Sequence, residues 1–215
     1  TKRPVKKTPA PPFTTSTLQQ EAARKLGFSV AQTMMVAQRL YESGFITYMR
    51  TDSFNLSDMA LTASRQAITE EYGERYHHLR HYHTKSKGAQ EAHEAIRPTN
   101  MQAPTISAGA QEMKLYDLIY KRTLACQMAD AELERTTVSI GIGGLTDKFV
   151  AVGEVIKFDG FLRVYRESTD DEPDAPEQET KLLPTVNVGD RLTAREIIAT
   201  ERFTQRPPRY TEAGL

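Results

Sequence analysis

Phe45-Ile46-Thr47-Tyr48-Met49-Arg50-Thr51-Asp52-Ser53 is the stretch from which the rest of the chain can be read. Its first half favours extended backbone, and Thr-Asp-Ser suits a turn or a helix start. In a strand, side chains two apart share a face, so Tyr48 and Arg50 are expected side by side. A hydroxyl beside a permanent cation suits a tyrosine that attacks a phosphate. The arginine fork holds phosphate oxygens and favours the charge that develops on them. The pair alone specifies little: a Tyr-x-Arg on a strand is more commonly an edge tyrosine beside a solvated arginine.

Upstream, two helices are expected. The first starts at Ser16 or Thr17, each a hydroxyl cap with a glutamine three residues on, Gln19 or Gln20. Leu18, Ala22 and Leu26 recur at helical spacing and Gly27 is a natural stop. Ser29 caps the second helix, which carries Val30, Met34, Ala37 and Leu40 on an inner face and ends at Gly44. Met34 and Met35 read as core filler. Two helices joined by a tight turn and followed by a strand have the outline of a helix-turn-helix or winged-helix unit. Many helix pairs with that outline never touch DNA. Gln19, Gln20, Arg24, Lys25, Gln38 and Arg39 suit a phosphate-facing side and a solvated face equally well. Residues 1–12, with four prolines and four basic side chains, read as an extended lead-in rather than an element.

Downstream, Ser57 caps a helix over 58–72 that Gly73 closes. Residues 74–90 read as a polar, mobile surface loop. His77, His78, His81 and His83 cluster there without cysteine or an acidic partner pattern, which argues against a metal site. Glu91–Arg97 reads as a short helix stopped by Pro98, with His93 and Arg97 on one face. Taken alone, His93 reads as a packing residue and Arg97 as a clamp to a carboxylate. A long helix over about 108–128 presents Met113, Leu115, Tyr116, Leu118, Ile119 and Leu124 as an apolar face, with Cys126 buried on it. From Thr136 the period becomes two: Thr137–Ile142, Phe149–Val152 and Glu154–Ile156 are strands, with Gly143-Gly144 at a hairpin connection. Residues 167–179 hold seven Asp or Glu and no Lys or Arg, an acidic loop by composition. Further strands are expected at Lys181–Leu183 and Arg191–Ala199, an extended stretch at Arg206–Tyr210, and a helix start at Thr211–Leu215.

The chain has 215 residues, 28 basic and 28 acidic side chains and one cysteine. That length supports one large or two modest domains. The balanced charge gives no sign of nucleic acid by itself, but residues 1–50 hold eight Lys or Arg against two Glu. A single cysteine excludes an internal disulfide and a multi-cysteine zinc site, and fits a reducing cytoplasm. No apolar run approaches the ~20 residues of a membrane span. A chain opening Thr-Lys-Arg, without a visible signal peptide, looks cut from something longer.

Three strings carry a family resemblance. Pro12–Gln20, Tyr41–Ser53 and Glu91–Thr99 resemble, in that order, three segments of the bacterial type IA DNA topoisomerases, including the one that bears the active-site tyrosine. The resemblance implies a multidomain α+β protein in which a mostly helical domain, with its helix-turn-helix or winged-helix-like unit, is inserted into an antiparallel β domain. Residues 1–12 would end the preceding β piece, 13–133 form the helical domain, and 134–215 form the second β piece. It implies Tyr48 as the nucleophile, Arg50 and His93 as catalytic partners, and DNA contacts from Arg50, Thr47, Arg97 and Arg39. The reaction implied is cleavage of one strand through a 5′-phosphotyrosyl link, strand passage and religation. Negative supercoils are relaxed without ATP.

The implied partner is single-stranded DNA met by a monomer in the cytoplasm, at the nucleoid. The family's magnesium sits in an acidic Toprim domain. No Asp-x-Asp cluster on a Gly-rich α/β background occurs in this chain, so it is expected to hold no metal and to be inactive alone. Two alternatives are weaker. A tyrosine recombinase needs a His-x-x-Arg string before a C-terminal tyrosine, whereas Tyr48 precedes His93 and the spacing to Arg97 is one residue too long. A winged-helix DNA-binding regulator without catalysis leaves the β half unexplained.

Overall fold

Residues 1–82, 93–166, 186–196, 198–199, 201, 203 and 210–214 are described by a computed structural model of the chain. The acidic loop 167–179, the strand expected at Lys181–Leu183, residues 206–209, His83, Glu91 and Ala92 lie outside the described residues.

Four α-helices form where capping chemistry and apolar spacing agree. α1 (Thr15–Leu26) begins one to two residues earlier than the sequence suggests. Its cap is Thr14, which exchanges hydrogen bonds with Thr17 in a capping box, so the expected Gln19 or Gln20 partner is not used. Gly27 closes it in the left-handed conformation, as expected. α2 (Val30–Glu42) is capped by Ser29, and α3 (Asp58–Tyr72) runs from a Ser57 cap to Gly73. α4 (Ala110–Cys126) is buried along most of its length, although Met113 at its start is exposed. Met34 packs against the core while Met35 points outward, so only half of the expected core pair serves there.

The sheet is antiparallel, ordered β1-β2-β3. β2 (Ala131–Gly141) and β3 (Lys148–Phe158) form the expected hairpin and begin earlier than the β-branched runs alone indicate. β1 (Lys2–Lys7) corrects the reading of residues 1–12 as a lead-in without an element: it pairs with β2 in register Lys2 to Thr136 through Lys7 to Ala131. Pro4 is tolerated because β1 is an edge strand. No ladder forms among the described residues of 191–199, against the strand expected there, and the end of the chain holds a 3-10 turn, Glu212–Gly214.

One apolar cluster runs from the helices into the base of the sheet, taking Leu115, Ile119 and Phe13 together with Ala131, Leu133 and Phe161. A buried polar knot ties three segments at that junction. The Tyr165 hydroxyl donates to Glu21 at 2.6 Å, and Arg24 pairs with the same carboxylate. Arg122 donates to the Pro11 carbonyl and lies over the rings of Phe13 and Tyr165. Residues 74–82 are likewise anchored rather than a mobile loop. His77 bridges Met128, His78 donates to the Gln127 carbonyl, and Arg80 pairs with Asp130.

Two expected elements near Tyr48 are absent. Residues 45–53 form no strand, only a single bridge from Ile46 to Pro98. Residues 93–97 are not helical: Ile96 bridges Phe13, and the segment runs extended across residues 45–57. No hairpin wing follows α2 directly, since the next regular element is α3.

Candidate active site

Two non-helical segments build the site. In the first, burial alternates: Met49, Thr51 and Ser53 are buried while Tyr48, Arg50 and Asp52 are exposed. Tyr48 and Arg50 therefore share the exposed side without a ladder to hold them. Anchors beneath do that work. The Thr15 hydroxyl donates to the Met49 and Thr51 carbonyls, and the Thr51 amide returns a bond to the Thr15 oxygen. Thr15 opens α1, so the first helix positions this segment.

The second segment, 93–99, is stitched alongside. Thr47 N donates to the Arg97 carbonyl, and the Thr47 hydroxyl donates to the Ala95 carbonyl at 2.7 Å while accepting from Arg97 N. Thr99 closes the far end through the Phe45 and Gly44 carbonyls, and Ala95 N donates to Asn55. His93, half-buried, is thereby set with its ring 5.7 Å from that of Tyr48, tilted by 40°.

Sequence reasoning missed a third ring. Tyr41, at the end of α2, meets Tyr48 edge-on at 5.3 Å. Tyr41 and Tyr48 stand 41% and 37% exposed, so the row Tyr41, Tyr48, His93 is open to solvent. The signal was present in the tight Ser43-Gly44 turn, which folds the end of α2 back on the following segment; Gly44 has φ of +74°.

The other expected site residues fall into two groups. Arg50 is exposed and makes no ion pair or hydrogen bond among the described residues, so its fork is available to an anion. Arg39 is exposed on α2 and pairs with Glu112 at 3.2 Å, a contact that an exposed side chain gives up at little cost. Thr47 is committed to backbone partners. Arg97 is only 7% exposed, with its guanidinium bonded twice to Glu94 and once to the Pro98 carbonyl. The clamp to a carboxylate read from the sequence is present, within an extended segment rather than on a helix. Among the described residues no group of three or more His, Cys, Asp or Glu could hold a metal ion. Those residues do not fit a magnesium site. No helix among them is long and apolar enough to cross a membrane.

Comparison with known proteins agrees with these segments. A family model described as DNA topoisomerase matches residues 1–215. The chain is similar to DNA topoisomerase 1 of Synechocystis, 51% identical over 99% of this chain and 24% of that protein. It is also similar to DNA topoisomerase 1 of Zymomonas mobilis, 49% identical over 99% of this chain and 18% of that protein. The chain thus spans about a quarter or less of the length of these curated relatives. Among solved structures, full-length topoisomerase I from Thermotoga maritima superposes with a TM-score of 0.66 and 41% identity, covering 79% of this chain and 29% of that one.

Proposed function

Because the chain belongs to the bacterial type IA DNA topoisomerase family, we propose that it is the part of a longer enzyme that supplies the tyrosine nucleophile for transient cleavage of single-stranded DNA. The observation that carries this reading is Tyr48 itself. It is exposed, flanked by the rings of Tyr41 and His93, on a segment held from both sides, with the exposed fork of Arg50 two residues on.

The Tyr48 oxygen forms a bond to a backbone phosphorus, and the bond from phosphorus to the 3′ oxygen breaks. The DNA 5′ phosphate stays on the tyrosine, and the leaving 3′ oxygen takes up a proton. Arg50 binds non-bridging phosphate oxygens and stabilises charge on them; a guanidinium cannot serve as the base. A free tyrosine titrates at about 10 and is a weak nucleophile at neutral pH, so a proton acceptor is required, and His93, whose ring lies 5.7 Å from that of Tyr48, takes that part in this reading. Strand passage through the gap and attack by the 3′ hydroxyl reverse the step. One phosphodiester is exchanged for another, so resealing needs no ATP.

Arg39 and the exposed face of the α1–α2 pair contribute phosphate contacts, in the manner of a helix-turn-helix unit. Thr47 and Arg97 shape the site rather than touch the strand. The chain on its own neither cleaves nor relaxes DNA, because the magnesium-binding acidic domain of this family lies elsewhere in the intact enzyme. The reading is tested with intact enzyme, magnesium and a labelled single-stranded oligonucleotide. A protein–DNA adduct through the DNA 5′ end should form and vanish in Tyr48→Phe. An adduct that persists in that variant assigns the chemistry to another residue.

A further inference from the structure

Among the described residues, the Glu94 carboxylate ties the residue next to His93 to the start of α3. Its Oε1 accepts from the Ser57 amide at 2.6 Å, at the N-cap of α3. Its Oε2 accepts from Arg97 Nε at 3.1 Å and Nη2 at 2.5 Å. Arg97 in turn is nearly buried and donates to the Pro98 carbonyl. A single carboxylate therefore joins the start of α3 to both ends of the 93–98 strap, one residue from the ring that faces Tyr48. The next anchors, Ala95 N to Asn55 and Thr47 to Ala95 and Arg97, fix the strap beyond residue 94, so that among the described residues Glu94 is the side-chain anchor nearest in sequence to His93.

The carboxylate is also held ionised. Burial favours its neutral form, but hydrogen bonds from Ser57 and Arg97 outweigh that and keep its pKa below the usual glutamate value. Charged, it accepts all three bonds; a neutral amide in its place would turn an N–H group toward Arg97 or toward the Ser57 amide.

We propose that Glu94, locked by Arg97, is a positioning residue for the reaction: it sets the distance and tilt of His93 against Tyr48. This rests on the reading of Tyr48 as the nucleophile and His93 as its neighbouring catalytic group. Glu94 has no direct part in bond making. Its effect on the rate is transmitted through His93 alone, so the two residues act as one unit rather than as independent contributors.

The test is a double-mutant cycle in intact enzyme, reading the rate of covalent adduct formation on a single-stranded oligonucleotide under saturating DNA. Glu94→Gln is expected to slow adduct formation about 10- to 100-fold, the scale of a misplaced catalytic group. In a His93→Ala background the same change should cost less than about twofold, since there is no ring left to misplace. Arg97→Lys, which keeps the charge but loses the two-pronged bond, should show the same coupling at smaller size. Gly27→Ala serves as the control for general destabilisation and should show no coupling to His93. Equal losses from Glu94→Gln with and without His93, or no loss in the single variant, would overturn the proposal. Failure of the underlying reading shows separately, as an adduct that survives Tyr48→Phe.

Discussion

The His93 ring lies 5.7 Å from the Tyr48 ring although neither residue sits on a helix or a laddered strand. Such a contact between irregular segments persists only where backbone hydrogen bonds over-determine both, and Thr15, Thr47 and Thr99 provide them here. In the proposed reaction His93 takes up the proton of the Tyr48 hydroxyl. His93→Ala in the intact enzyme should lower the single-turnover cleavage rate by about 10²-fold, the lower end for a general acid–base group. DNA binding should change little. Rapid-quench adduct kinetics beside a filter-binding isotherm separates the two quantities.

Thr47 tests whether the site's geometry depends on the strap. Its hydroxyl donates to the Ala95 carbonyl, with a longer contact to the Arg97 carbonyl, and accepts from the Arg97 amide. Thr47→Val keeps the shape and removes these bonds, leaving the Ala95 carbonyl and the Arg97 amide poorly satisfied. Unfolding should become easier by about 1–3 kcal/mol, measured as a shift of the urea midpoint at constant m-value. Adduct formation should fall as well.

Much of this was legible in the sequence, where the deciding interactions are local. Ser57 and Gly73 bound α3 as read, because a cap and a helix stop act within a turn of their own position. Tyr48 and Arg50 were placed on one side by a period of two, and that held although the ladder did not form. The misses share a cause, a partner far along the chain. Residues 1–12, with four prolines and four basic side chains, looked like a lead-in without an element until β2, more than a hundred residues on, supplied a ladder for Lys2–Lys7. Residues 93–97 have local helix-forming composition, yet bonds to Thr47, Asn55 and Phe13 draw them straight. Tyr41 is a different case: its partner Tyr48 is only seven residues on, and the Ser43-Gly44 turn between them carried the signal.

Two glycines with positive φ should respond differently to alanine. Gly27, φ +67°, has open space around a would-be Cβ, so Gly27→Ala costs only the left-handed strain, about 1 kcal/mol. Gly160, φ +51°, sits where a Cβ would collide with the backbone carbonyl oxygens of Asp130 and Ala129. Backbone cannot step aside cheaply, and those residues lead into β2. Gly160→Ala should therefore cost about 3 kcal/mol or more. Thermal denaturation of the two variants gives the order directly.

Cys126 should behave as a packing residue, not a redox group. Burial raises its thiol from 9.0 to about 12, only partly offset by a hydrogen bond with Gln127 and the charges of Arg122 and Arg80. That shift alone lowers the reactive thiolate about 10³-fold near neutral pH. Iodoacetamide should leave the native protein unmodified while labelling the urea-unfolded chain quickly. Rapid native labelling would mean that the end of α4 opens.

The Glu94 lock makes a pH prediction with a definite sign. Burial would raise the Glu94 pKa, but bonds from Ser57 and Arg97 prevail and lower it beneath 4.5. A depressed carboxylate contributes stability that is fully present above its unfolded value and fades as pH falls through its folded value. The stability difference between the native protein and Glu94→Gln should therefore be constant at neutral pH. It should begin to shrink only below about pH 4.5 and approach a floor once the native carboxylate is protonated. Paired urea titrations at pH 7, 5, 4 and 3 trace this difference. A gap that stays constant down to pH 3 would show that the ionised carboxylate does not hold the strap; a gap that closes in this window ties the strap beside Tyr48 to the charge on Glu94.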